Sequence, residues 1–539
     1  MAGMTSPTRK TLVAPGNGAL AMLEQPAADA TRAVLLIPPL FEERKATLPL
    51  LAALSRTLAQ NGALTARCDV AGTGHADGGF EDLTPALWQG GLLATAEFLR
   101  SLAPGVPLFV VGVRISCAWA AWVSREVPGV AGVVFIAPAQ GPRLLRQLAQ
   151  RSAVNQMSTH GRALLPPGKI AAEVEAGRTL DLDGYAVTPA LYRALEAQAI
   201  QPCACQALLL ATPHDGPDAQ ACGATKTVAI NLPAFWNTVG HVDTSPIVDA
   251  VCGWLAGQQE GVSKIFDVTP HPSAFALAST LGTLHGFRYA PANAPRSKVL
   301  FIHGWSGDGT GPHRMYVKLA RRLVASGCLC HTFDLGGRGD SDGVHGAASI
   351  ASMAADARVA FEHLDSFAPG APSLVVAMCS GSKVALLLAA EGVKADLALF
   401  SAEPLGALRD GRRVAWRKLC HALGSYAFKL TQPQTWKKLF TGKVQAAGVR
   451  SALASSEKPS EAEVREETVA LKKLRNYKGR ILFVFAERDP EAAPSRAAYT
   501  AFCKENGIAF ELHTVANTGH SFYSLEAEAE AVGRVVEFA

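Results

Sequence analysis

Two eleven-residue stretches of this chain, CDVAGTGHADG from Cys68 to Gly78 and FDLGGRGDSDG from Phe333 to Gly343, share one pattern at a separation of 265 positions. The same offset pairs Ala33–Pro38 (AVLLIP) with Lys298–His303 (KVLFIH), and Pro107–Gly112 with Pro372–Ala377. It extends to Phe135 and Gly141, which fall opposite Phe400 and Gly406; beyond these glycines the register is lost, so the insertions belong there. A fixed internal offset says that one structural unit is built twice.

Each repeat alternates short apolar runs with amphipathic stretches. Leu48–Leu58 and His313–Leu323 carry apolar residues at helical spacing and run into Gly62 and Gly327, as helices ending on a glycine do. Strands alternating with helices predict a mostly parallel, doubly wound sheet flanked by helices in each half. A chain of 539 residues is also too long for one ordinary core. The expected division is a disordered N-terminus at 1–10, a first domain at 11–256, a linker at 257–272 (GQQEGVSKIFDVTPHP) and a second domain at 273–539.

The chemistry concentrates in the second half. Leu374-Val375-Val376 reads as a strand, Lys383–Ala390 as a helix, and Ala377-Met378-Cys379-Ser380-Gly381 joins them. Small residues two before and two after a central one allow the tight strand-to-helix turn that exposes a nucleophile. Centred on Cys379 the turn fits, whereas centred on Ser380 it is crowded by Met378 and Ser382. A thiol there also lies at a helix N-terminus, which favours the thiolate.

Acid and base follow in chain order. Asp489 comes after the apolar run Arg480–Phe485, and His520 lies between the strand-like Glu511–Val515 and the helical Leu525–Phe538. Asp489 is read as orienting the imidazole, and His520 as the general base. The loop His303-Gly304-Trp305-Ser306 suggests an oxyanion hole from the backbone N–H groups of Trp305 and Ser380. His303 is read as shaping that loop, and is carried with Trp416 and Trp436 as a candidate substrate contact.

At the matching turn of the first half, Gly112-Val113-Arg114-Ile115-Ser116, the central residue is Arg114, which cannot attack a carbonyl. Pro38-Pro39-Leu40 removes a backbone donor where the oxyanion loop needs one. Asp215 is the candidate acid; His241 and the pair Phe235-Trp236 stay open for the base position. Arg114 with the Glu42-Glu43-Arg44-Lys45 run reads either as a pocket for a charged group or as a salt-bridged packing element.

An insertion at about 404–479 interleaves apolar and basic residues, as in Arg412–Lys418 and Trp436–Phe440, and reads as a helical lid with a positive outer face. Such a lid would attract an acyl carrier protein or a coenzyme A ester. A net charge of +5 gives no reason to expect nucleic acid. The close cysteine pairs Cys203/Cys205 and Cys328/Cys330 lack metal-motif spacing and read as strand residues packing on a sheet, and neither metal nor cofactor is expected. There is no apolar run of membrane-spanning length and no secretory signal, so a cytoplasmic location is expected.

With these turns in view, both halves resemble the α/β-hydrolase superfamily, which implies an α/β fold of two tandem α/β-hydrolase domains with the lid in the second. More narrowly, the second half resembles the first of two hydrolases that accompany bacterial exosortase systems, through Ala377–Gly381 and Trp436–Gly442. The first half is similar to the second of them, through Gly112-Val113-Arg114, Asp183-Gly184-Tyr185 and Pro233–Trp236. Ala377 and Ser380 depart from the glycine and aspartate of that family. The resemblance implies ester or thioester hydrolysis through an acyl-cysteine, with acyl transfer or a non-catalytic scaffold as alternatives.

Overall fold

The computed structural model describes residues 8–238, 242–344, 348–408 and 461–539. In chain order the first half contributes β1 (Arg9–Gly16), β2 (Ala19–Gln25), β3 (Arg32–Ile37), β4 (Ala63–Asp69), β5 (Leu108–Val113) and β6 (Val130–Ile136). A small hairpin of β7 (Leu180–Leu182) and β8 (Tyr185–Val187) precedes β9 (Gln206–Ala211) and β10 (Lys226–Ala229). The second half contributes β11 (Ala274–Ser279), β12 (Gly282–Tyr289), β13 (Ser297–Ile302) and β14 (Cys328–Phe333). It continues with β15 (Ser373–Met378), β16 (Asp396–Phe400), β17 (Ile481–Ala486) and β18 (Phe510–Val515).

These strands form two eight-stranded sheets, ordered β1-β2-β4-β3-β5-β6-β9-β10 and β11-β12-β14-β13-β15-β16-β17-β18. With the hairpin set aside, the two orders are the same. Only the β1-β2-β4 and β11-β12-β14 edges are antiparallel, and the other pairs are parallel. Helices cover both faces, which is why the central strands are apolar throughout. In β15, Val375 and Ala377 enter one core and Leu374, Val376 and Met378 the other.

The repeat register holds through β5 and β15 and then slips. Val113 pairs with Ile136 while Met378 pairs with Phe400, so the counterpart of Phe400 is Ile136 and not Phe135. The extra residue of the first half lies in β6 itself, where the pairing with β5 shifts between Leu108–Val130 and Phe109–Gly132 and leaves Ala131 without a partner on β5. Other expectations shift as well. Arg9 and Lys10, expected to be disordered, begin β1. The helix expected from Leu48 spans Phe41–Gln60 and carries Pro49 inside its first turns. Cys203 and Cys205 precede β9, with the Cys203 thiol donating to the Cys205 carbonyl at 3.5 Å, whereas Cys328 and Cys330 do lie on β14 and pack in one core. The stretch 257–272 runs along the first half, with Ser263 bridging Ala30 and Phe266 N donating to Leu102 O. No helix among the described residues is long and apolar enough to cross a membrane.

The two halves are clasped by buried charge. The Arg314 guanidinium donates to four carbonyl oxygens of the 72–78 loop, those of Gly72 (2.6 Å), Gly74 (2.9 Å), Ala76 (2.7 Å) and Gly78 (3.1 Å). Burial lowers its pKa to about 10, so it stays charged at neutral pH. Lys10 Nζ meets Asp342 at 2.6 Å, and the His313 N–H donates to Glu42 Oε1 at 2.9 Å. Leu525 N, at the start of the last helix, donates to Asp181 Oδ2 at 2.7 Å. Replacing Arg314 by Ala leaves the Gly72 and Gly74 carbonyls without this donor, while Arg321 still donates to Ala76 O and Gly78 O. Arg314→Ala is expected to lower unfolding free energy by about 2–4 kcal/mol, read as a lower urea midpoint at unchanged slope.

Candidate active site

Strand β15 delivers Cys379 to the carboxyl edge of the second sheet, and the helix Ser380–Ala390 leaves from it. Cys379 has φ 57° and ψ −128°, a conformation that costs a residue with a side chain about 1–3 kcal/mol. Three contacts hold it there. Its N–H donates to Phe400 O at 3.0 Å, its carbonyl accepts from Ser382 N at 3.0 Å, and Gly381 lies against the end of β13. A Cβ on Gly381 would come within 2.6 Å of His303 O and 2.7 Å of Ile302 O, so the A-x-C-x-G spacing is a steric requirement. In the first half the matching Gly112 cannot carry a side chain either, while the second half accommodates Ala377, fully buried.

Asp489 follows β17 and is buried. Its Oδ1 accepts from Glu491 N at 3.0 Å, and its Oδ2 meets His520 Nδ1 at 2.7 Å. His520 is anchored through its carbonyl, which accepts from the Ser401 hydroxyl at 2.8 Å. Burial disfavours the imidazolium, but hydrogen bonds with Asp489 and Cys379 outweigh it and raise the pKa of His520 well above the usual value. Because folding raises it, the associated stability is present in full below about pH 6.5 and is lost as pH climbs through the folded value. The three expected residues are thus brought together, with the ring lying between carboxylate and thiol.

A fourth group went unnoticed in the sequence. Glu403, just beyond β16, accepts a hydrogen bond from Cys379 Sγ at 3.1 Å. Its other oxygen lies 4.0 Å from Lys383 Nζ, which pairs with Glu467 at 2.9 Å. The available signal was an acid three residues past the end of an apolar strand beside β15, in Phe400-Ser401-Ala402-Glu403.

The oxyanion loop is closed by a side chain. Trp305 N donates to Ser380 Oγ at 2.7 Å, so the hydroxyl takes up this backbone donor. Arg338 lies over the Trp305 ring at 4.6 Å. Gly304 keeps the approach open, since a Cβ there would sit 3.1 Å from the Cys379 Cβ. His303, carried as a candidate substrate contact, is committed to the loop. It is buried, its Nδ1 donates to Gly304 O at 2.8 Å, its Nε2 accepts from Leu335 N at 3.0 Å, and burial lowers its pKa to about 4. Both ring nitrogens serve the loop.

In the first half Arg114 adopts the same strained elbow, with φ 57°, but its side chain is fully buried. It pairs with Glu43 at 3.3 Å, donates to Ala137 O and Gln147, and lies 4.1 Å over Trp236. Arg114 is thus engaged in salt-bridged packing. Asp215 accepts from Thr212 N at 2.7 Å and Thr212 Oγ1 at 2.5 Å, while its own burial raises its pKa. His241, Trp416, Trp436 and most of the expected lid at 404–479 lie outside the described residues.

Residues 299–535 match a model of the α/β hydrolase family. The second half has an α/β-hydrolase-like fold. That match spans Cys379, Asp489 and His520. The sequence matches none of the curated proteins compared. Among solved structures it is similar to a ferulic acid complex of Est1E from Butyrivibrio proteoclasticus, at 20% identity over 49% of this chain and 97% of that one, with a TM-score of 0.34. It is also similar to a thermostable carboxyl esterase from Bacillus coagulans, at 13% identity over 49% and 96% of the chains with a TM-score of 0.33. An α/β serine hydrolase homologue from Coxiella burnetii is similar at 12% identity over 50% and 99%, with a TM-score of 0.33.

Glu403 accepts the Cys379 thiol hydrogen and so ties up the sulfur in the free site. Glu403→Gln is therefore expected to speed alkylation of Cys379 by iodoacetamide at pH 7 by about threefold or more, measured by peptide mass.

Proposed function

We propose that the α/β-hydrolase domain is a cysteine-dependent acyl hydrolase that cleaves an ester or thioester, and that the first half performs no chemistry. The reading is carried by the 2.7 Å bond between His520 Nδ1 and Asp489 Oδ2, which leaves the other ring nitrogen for a thiol presented at an elbow. His520 takes the Cys379 proton as sulfur attacks the carbonyl carbon. The carbonyl oxygen displaces the Ser380 hydroxyl and accepts from the N–H groups of Trp305 and Ser380. As the tetrahedral adduct collapses, the leaving oxygen or sulfur departs with the proton from the imidazolium, and an acyl-cysteine remains. Water, deprotonated by the same imidazole, then releases the acid and restores the thiol.

Arg114 supports the second clause, because a guanidinium fully engaged by Glu43, Ala137 and Gln147 has neither the lone pair nor the freedom to attack. Incubation with p-nitrophenyl acetate is expected to add one acetyl group to the wild type by intact mass. Cys379→Ala should show no adduct and lose about 10³-fold or more in turnover. An adduct on Cys379→Ala, or turnover kept by it, excludes this assignment.

A further inference from the structure

The most extensive unexplained feature is a cleft between the halves. One cavity of about 580 Å³ is lined on one side by Thr159, Leu164 and Leu180 of the first half and on the other by Asn517 and His520. A second, of about 270 Å³, is lined by Lys45, Arg151 and Trp236 of the first half and by Ser306, which follows Trp305. Asn155 and Tyr523 border both. One cavity therefore reaches the imidazole and the other the oxyanion loop. We infer that this cleft is the substrate site, and that the first half forms its far wall for an uncharged, hydrogen-bonding portion of the ester or thioester.

The wall is built, not incidental. Arg151, Asn155 and Thr159 stand four residues apart on the helix Gly141–His160 and so share one face. Asp183, at φ 57°, fixes the first two, through Arg151 at 2.5 Å and Asn155 at 3.0 Å. Asp181 from the same hairpin caps Leu525 N, which ties the His520–Ser524 segment to this wall. A Cβ on Gly519 would lie 4.0 Å from Thr159 Cγ2, so the helix end touches the loop that carries the imidazole. A cavity of this size lies within the range of roughly 300–1,000 Å³ that holds small ligands.

The charges on the wall come in pairs. Lys45 lies 3.7 Å from Glu42, Arg151 is bonded to Asp183, and Arg178 to Glu173. Such a surface offers donors and acceptors with little net field, which favours a neutral polar group over a nucleotide or phosphopantetheine anion.

The proposal rests on the acyl hydrolase reading, and graded alkylation of Cys379 separates the two. Wild-type protein is labelled with iodoacetamide, with a neutral biotin-linked maleimide and with the anionic fluorescein maleimide, each read by peptide mass. The biotin reagent is expected to outpace fluorescein maleimide at Cys379, and Thr159→Trp to lower the ratio of biotin to iodoacetamide labelling at least fivefold. Ser158→Trp, at an exposed cavity position, should lower it too, while Val154→Trp, exposed on the same helix outside both cavities, should not. An unchanged ratio in both the Thr159 and Ser158 variants overturns the proposal, as does a wild-type thiol that accepts iodoacetamide but not the biotin reagent, or prefers the anion. If Cys379 reacts with iodoacetamide no faster than the half-buried Cys252, the hydrolase reading fails instead.

Discussion

A strained backbone position supports everything else in this molecule. Cys379 is held at positive φ by a strand that cannot shift, by the Phe400 carbonyl and by a glycine pressed against the end of β13. Strain of this kind persists only where surrounding contacts outweigh it. Here the return is geometric, since the thiol stands clear of the sheet at a helix N-terminus, within reach of loops from β13, β16, β17 and β18. The first half keeps the strain at Arg114 without a nucleophile, and there the elbow drives a guanidinium into a buried site among Glu43, Gln147 and Trp236.

Much of this was legible in the residues. The repeat at 265 positions foretold two sheets of one strand order, because the apolar runs and tight glycine turns that define the unit recur together. Cys379, Asp489 and His520 could be read from their places after strands. What escaped is what depends on packing across loops. Glu403 shows no periodicity, and only the fold sets its carboxylate beside sulfur. His303 looked available, but its ring is spent on two backbone partners. The slip that sets Ile136 rather than Phe135 opposite Phe400 turns on one extra residue within β6, which no pattern of apolar side chains records.

The arrangement of the halves was the least visible part. Nothing in either repeat alone announces that Arg314 closes on the 72–78 loop, or that Asp181 caps the helix after His520. Both contacts are specific to one partner in a near-duplicate pair, so they arise where the repeats have diverged. On the proposed reading, the arginine at the elbow of one half and the wall beside the other belong together. A domain freed from chemistry can keep its rigid sheet and devote the loops at its carboxyl edge to binding.

The central claim is that one imidazole is bonded to Asp489 on one side and faces the Cys379 thiol on the other. Titration of His520 by nuclear magnetic resonance, in the wild type and in Cys379→Ala and Asp489→Asn, tests it directly. The account predicts a wild-type midpoint well above about 6.5, the ordinary histidine value, and a fall toward that value in each variant. A wild-type midpoint at the ordinary value, unmoved by removal of either partner, would contradict it.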